Sequence, residues 1–132
     1  MSDPDVPATP CGELTLRTVA MPANTNPAGD IFGGWIMGLM DLAAGSAAAA
    51  LANGRVVTAA VSNLTFLQPV KVGDNVCCYT TLERTGRTSL TIDVEVWVIR
   101  PSMSRQRIRV TKAKFVMVAV DPEGTPRPLP QP

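Results

Sequence analysis

Polar and apolar residues alternate through Glu13-Leu14-Thr15-Leu16-Arg17, the period of two expected of a short, half-buried strand. From Phe32 to Asn53 the pattern changes to a nearly unbroken run of small apolar residues, interrupted only by the charge of Asp41. Its many alanines favour a helix, and Gly54 is of the type that follows a helix end. Such a helix, apolar on nearly every side, is suited to burial in a core. After Gly54 the chain reads as strands. Val56 to Phe66 is rich in β-branched residues and stops at Gln68-Pro69. Val72-Gly73-Asp74 marks a turn, Asn75 to Arg84 a strand, and Thr85-Gly86-Arg87 another turn. Leu90, Ile92, Val94, Val96 and Val98 then alternate with Thr91, Asp93, Glu95 and Trp97. The expectation for Trp97 is cover from a partner subunit or a loop.

The last strand, Arg105 to Val120, changes phase. Ile108 and Val110 are apolar on even positions, whereas Ala113, Phe115, Met117 and Ala119 fall on odd ones. A bulge near Thr111–Ala113, or burial on both faces beyond it, would reconcile the two. The fold class expected is α+β, one strand and one long helix followed by four antiparallel strands, with a curved sheet wrapped round the helix. The open sheet edges call for pairing with a second copy. Residues 1–11 are expected to be a flexible arm, 12–124 a single domain, and 125–132 a proline-rich tail, extended or disordered.

Composition removes whole classes of chemistry. The chain has 132 residues and no histidine, so no Ser-His-Asp triad, Cys-His dyad or histidine base exists within it. Three cysteines, two of them adjacent, make neither a disulfide framework nor a zinc site, so no metal is expected. With 12 Lys and Arg against 11 Asp and Glu, the net charge of +1 argues against nucleic acid or a membrane surface as partner. Residues 31–52 have the length of a membrane span, but Ala and Gly dominate them. Asp41 would cost about 2.5–3.5 kcal/mol at the bilayer centre. The polar, proline-rich start lacks the apolar stretch of a signal peptide, which makes the cytoplasm the expected location.

One segment combines groups that chemistry can use: Asn24-Thr25-Asn26-Pro27-Ala28-Gly29-Asp30-Ile31-Phe32-Gly33-Gly34-Trp35. Amides of a first helical turn polarise an anionic oxygen, and Gly33 and Gly34 let a carbonyl approach them without a Cβ in the way. Asp30, just ahead of them, is placed to orient or deprotonate a water, which suits hydrolytic acyl transfer. The competing reading makes Asp30 a plain helix cap. Asp41, eleven residues further on, is the competing carboxylate; buried mid-helix it needs a partner, and a structural hydrogen bond across a dimer interface is expected there ahead of catalysis. Arg100, Arg105, Arg107, Arg109, Lys112 and Lys114, with Arg87 at the Gly86 turn, form a basic cluster that serves equally as a solvated edge or a phosphate site.

The run from Met21 through Asn26, with Gly29-Asp30-Ile31-Phe32-Gly33-Gly34-Trp35-Ile36-Met37, closely resembles bacterial acyl-CoA thioesterases of the hotdog superfamily. The likeness continues through Gly54–Thr58, Thr65–Val70, Val72–Asp74, Val76–Tyr79, Glu95–Val98 and Val118–Gly124. It implies the hotdog fold, and hydrolysis of acyl-CoA to free CoA and a carboxylic acid without a metal or other cofactor. It implies a homodimer, commonly assembled into a hexamer as a trimer of dimers. The family's catalytic aspartate falls on Asp30, as general base or nucleophile, with Gly33, Gly34 and Asn24 completing the catalytic set. Substrate contacts fall on Asn26, Thr58, Arg87, Thr88 and Ser89. Ser62 stands where relatives often carry Glu, the loop at Pro101–Ser104 is slightly short, and Ala47–Ala50 replace bulkier residues. Hydratases of the same superfamily generally pair a histidine with a carboxylate, which disfavours that activity here. A non-catalytic CoA-thioester-binding oligomer is the remaining alternative.

Overall fold

The structure, a computed structural model, describes residues 9–101 and 106–130. Strand β1 (Glu13–Val19) leads through a short 3-10 turn into helix α1 (Gly33–Ala52). Four strands follow: β2 (Val56–Phe66), β3 (Asn75–Thr85), β4 (Ser89–Arg100) and β5 (Gln106–Ala119). They form one five-stranded sheet in the order β1-β3-β4-β5-β2, with every pairing antiparallel. The expected α+β architecture is therefore present, with α1 against one face of the sheet. Ile36, Met40, Ala43, Ala44, Ala48 and Ala52 form the buried stripe of α1. Their i, i+3, i+4 spacing keeps them on one face, and four alanines let the sheet come close. Val76, Cys78, Leu90, Ile92, Val94, Val96, Phe115 and Met117 complete this core. The helix is long and apolar enough to cross a membrane by length and composition alone, but here its buried stripe belongs to that core.

The opposite side of α1 departs from expectation. Met37, Leu42 and Leu51 are exposed, Leu42 at 60%, so the helix is not enclosed by one chain. Strand β2 beside it is exposed along nearly its whole length, Val57, Val61 and Phe66 included. Its register shifts at Thr58/Ala60 and Ser62/Thr65, and Asn63 takes φ +59° between the latter. These irregularities increase twist and curl the edge round the helix. Within the single chain Asp41 is exposed, and its carboxylate accepts a 2.5 Å hydrogen bond from Thr58 Oγ1.

Trp97 needs no partner either: it is 2% exposed within the single chain, and its Nε1 donates to Glu95 Oε1 at 2.8 Å. The phase change in β5 comes from a bulge at Val110, one residue before the expected window. Val96 pairs with Thr111 and Trp97 with Arg109, so Val110 has no opposite number. Beyond it the odd residues, Thr111 to Ala119, are buried. Cys77 and Cys78 are buried and unbridged, and burial pushes the Cys78 thiol up to about 12, which makes Cys78 an inert packing residue.

At the C-terminus of α1 the left-handed residue is Asn53, at φ +53°, rather than Gly54. Arg127 closes this end, donating from Nη2 to Ala52 O at 3.0 Å and from Nε to Val120 O at 3.1 Å. A guanidinium there satisfies an orphan carbonyl and suits the negative end of the helix dipole. Up to residue 130 the tail is accordingly not loose. Arg127 N donates to Ala119 O and Leu129 N to Arg87 O, both at 2.9 Å, and Leu129 packs on the core. The domain thus extends past residue 124. The expected arm up to residue 8, Arg105 and the loop at 102–104 lie outside the described residues.

Candidate active site

The loop before α1 is organised by two asparagines. Asn26 Oδ1 accepts from Ala28 N at 3.0 Å and Asp30 N at 3.1 Å, while Asn26 N donates to Asp30 O at 2.6 Å. Asp30 is thereby tied to Asn26 through both its backbone groups. Asn24 contributes its carbonyl, which accepts from Phe32 N at 2.9 Å, and Gly29 turns the chain at φ +90°, where a side chain would be strained. On the other side, Ile31 N donates to Val70 O at 3.0 Å and locks this loop to the segment leading into β3.

Asp30 is not the helix cap. The N-cap is Phe32, and no side chain caps the helix. The first amides of α1, those of Gly33 and Gly34, have no intrahelical acceptor by the geometry of any helix start. Gly34 has open space where a Cβ would stand, and at Gly33 a Cβ would meet the Phe66 ring at 3.4 Å. The Asp30 carboxylate instead pairs with Lys71 Nζ. Lys71 is held in turn by Asp74, whose Oδ2 accepts from Lys71 N at 2.9 Å. Asp74 is 1% exposed and takes two 2.9 Å hydrogen bonds from the Arg100 guanidinium, which raises the pKa of Arg100. Arg100 Nη2 also reaches Pro69 O at 3.2 Å.

These elements enclose a cleft of about 340 Å³ lined on one side by Asn26, Asp30 and Gly33 and on the other by Phe66, Leu67 and Val70. A carboxylate, helix-start amides and an apolar wall therefore share one concavity, which is what hydrolysis of an apolar acyl group requires. The remaining expected residues lie elsewhere. Thr58 is on β2 with its hydroxyl committed to Asp41. Arg87, Thr88 and Ser89 form the turn into β4, whose other end is Arg100. At about 3.3 Å per residue the strand separates that turn from the Asp30 loop by roughly 35 Å. One chain does not bring them together. Sequence reading missed Lys71, Asp74 and Arg100 as a unit: Asp74 registers only as a turn residue and Arg100 only as part of a basic cluster.

The sequence pattern of the thioesterase superfamily matches residues 28–101, which take in the Asp30 loop, α1, β2, β3 and β4. The chain belongs to the thioesterase superfamily. It is 55% identical over 124 residues to the acyl-CoA thioester hydrolase YciA of Salmonella typhimurium, covering 92% of this chain and 93% of that protein. Among solved structures it is similar to the hexameric thioesterase y2039 from Yersinia pestis, with 55% identity and a TM-score of 0.88 over 94% of this chain and all of that one. The hexameric hotdog fold thioesterase Cj0915 of Campylobacter jejuni matches at 41% identity and a TM-score of 0.86, covering 90% of this thioesterase-superfamily chain and 91% of its own. The five-stranded sheet with one long helix is thus the hotdog fold.

Proposed function

We propose that the protein is an acyl-CoA thioester hydrolase whose reacting carbonyl enters the cleft between Asp30 and the start of α1. The carrying observation is that Asp30 and Gly33 line one cleft while no side chain caps the helix. As general base, Asp30 takes a proton from water as the water oxygen bonds to the thioester carbon. The amides of Gly33 and Gly34 stabilise the oxyanion, the C–S bond then breaks, and the CoA thiolate leaves and is protonated. As nucleophile, the carboxylate of Asp30 would bond to the thioester carbon and expel the CoA thiolate, and water would then hydrolyse the resulting mixed anhydride to the free acid and the regenerated carboxylate. Neither route uses a metal or cofactor. Asn24 acts through its carbonyl on Phe32 N, and Asn26 through its grip on Asp30. The apolar wall of Phe66, Leu67 and Val70 accepts the acyl chain. Incubation with acyl-CoAs from acetyl to palmitoyl is expected to release free CoA, read as kcat/KM for each; saturable binding without release would instead mark a non-catalytic binder.

The enzyme is read as a homo-oligomer, built from a dimer and completed as a hexamer. The support is the exposed edge of β2 beside the exposed Met37, Leu42 and Leu51, an apolar face that a second copy would cover. For Arg87, Thr88 and Ser89 to serve the Asp30 cleft they must come from such a copy. Val61→Lys, placing a charge in the middle of β2, is expected to shift the protein to smaller species in analytical ultracentrifugation and to lower activity with it. A reducing cytoplasm fits the free state of Cys11, Cys77 and Cys78.

A further inference from the structure

We propose that the proline-rich tail braces the turn into β4, with Arg127 and Leu129 as positioning residues for Arg87, Thr88 and Ser89; the inference rests on the reading above that this turn serves the substrate. Asp121 brings the tail back onto the sheet. Its Oδ1 accepts from Glu123 N at 3.0 Å and Thr125 N at 2.9 Å, its N donates to Thr125 O at 2.9 Å, and Val120 then lies opposite Pro126. From there prolines alternate with donors. Pro126, Pro128 and Pro130 have no N–H to offer, while Arg127 N donates to Ala119 O and Leu129 N to Arg87 O, each at 2.9 Å. Proline at every second position presets φ in an extended segment, so little chain entropy is lost when it docks.

The brace ends on the turn itself. Gly86 N donates to Ser89 O at 2.8 Å and Ala119 N to Thr88 O at 2.9 Å, so the bond from Leu129 N to Arg87 O completes the hold on three successive carbonyls. Leu129 packs on the core and Arg127 is anchored on Ala52 O and Val120 O, which fixes the donor that holds Arg87. The side chains of the turn are left over. Among the described residues the Arg87 guanidinium and the hydroxyls of Thr88 and Ser89 have no hydrogen-bond or ion-pair partner. A guanidinium and two hydroxyls on a backbone held this firmly suit the phosphate-bearing end of CoA, because an oxyanion takes charge-assisted hydrogen bonds from such groups. Without the brace the turn shifts and that end binds more weakly, while the reacting carbonyl, at the other end of the substrate, is untouched.

The test measures kcat and KM for one acyl group presented as acyl-CoA and as acyl-pantetheine, which lacks the nucleotide. Wild type, Leu129→Pro, Leu129→Ala and Arg87→Ala are compared, with Tm alongside. Leu129→Pro removes the N–H that holds Arg87, whereas Leu129→Ala keeps it and gives up only packing. Leu129→Pro is expected to raise KM for acyl-CoA about three- to tenfold, the worth of one hydrogen bond, with kcat and both constants for acyl-pantetheine unchanged. Leu129→Ala should keep the wild-type KM at a lower Tm. A KM for acyl-CoA unmoved by Leu129→Pro, one raised as much by Leu129→Ala, or a loss shared by acyl-pantetheine would overturn the proposal. If Arg87→Ala leaves KM for acyl-CoA unchanged, the turn is no substrate contact and the proposal falls with that reading. Failure of the wild type to release CoA is the distinct outcome that removes the hydrolase reading.

Discussion

Asp30→Asn is expected to reduce kcat/KM for acyl-CoA by 10²- to 10⁴-fold, the usual worth of a positioned acid or base. The substitution separates the two uses of that residue cleanly. Asp30 does not cap the helix, and asparagine keeps its size and shape, so a purely structural role in the loop would leave activity nearly untouched. It also preserves the backbone bonds by which Asn26 holds this position. What asparagine cannot do is accept a proton from water at neutral pH or attack a thioester as a carboxylate. Free CoA is measured by thiol detection, and Tm reports whether the fold has survived.

The largest effect on stability is expected at Arg100. Arg100→Ala leaves Asp74, 1% exposed, without its bidentate guanidinium partner. Breaking a buried pair on one side costs about 3–5 kcal/mol, because a charge is left uncompensated in a poorly polar site. For a domain of this size that corresponds to a fall in Tm on the order of 10–20 °C. The damage should reach the cleft, since Asp74 holds Lys71 N and Arg100 holds Pro69 O. Activity is therefore expected to fall in the fraction that remains folded. The double variant Asp74→Leu/Arg100→Met should be more stable than Arg100→Ala alone, because both charges leave the interior together. Thermal unfolding of the three proteins checks this.

The contrast between Asp30 and Arg100 shows what can be read along a chain. The helix, the strands and the Asn24–Trp35 segment are legible because their signals are local: alternation, an alanine run, glycines beside a carboxylate. Asn26, Asp30 and Gly33 lie close together in sequence, so a loop and a helix start suffice to gather them. Arg100 and Asp74 meet only because β3 and β4 pair in a given register, with Asn75 opposite Ile99. No periodicity announces that register. The same limit explains Trp97 and Asp41, whose burial depends on what the rest of the fold covers. Trp97, expected to need outside cover, finds it within the chain; Asp41, expected to be hidden against a second copy, is open within one chain, beside Thr58. The tail misleads for a related reason: prolines forbid a regular strand, but Arg127 and Leu129 still find partners on Ala52, Ala119, Val120 and Arg87.

The sheet order carries a consequence for how the chain is made. Strand β2 pairs only with β5 among the described strands, and β5 is the last to leave the ribosome. While β3 and β4 are being synthesised, β2 has no partner of its own, and its valines are open to other nascent chains. Such late, non-local pairing slows folding and prolongs exposure of a sticky edge. Synthesis rate and crowding, rather than the stability of the finished molecule, should then govern how much enzyme a cell recovers.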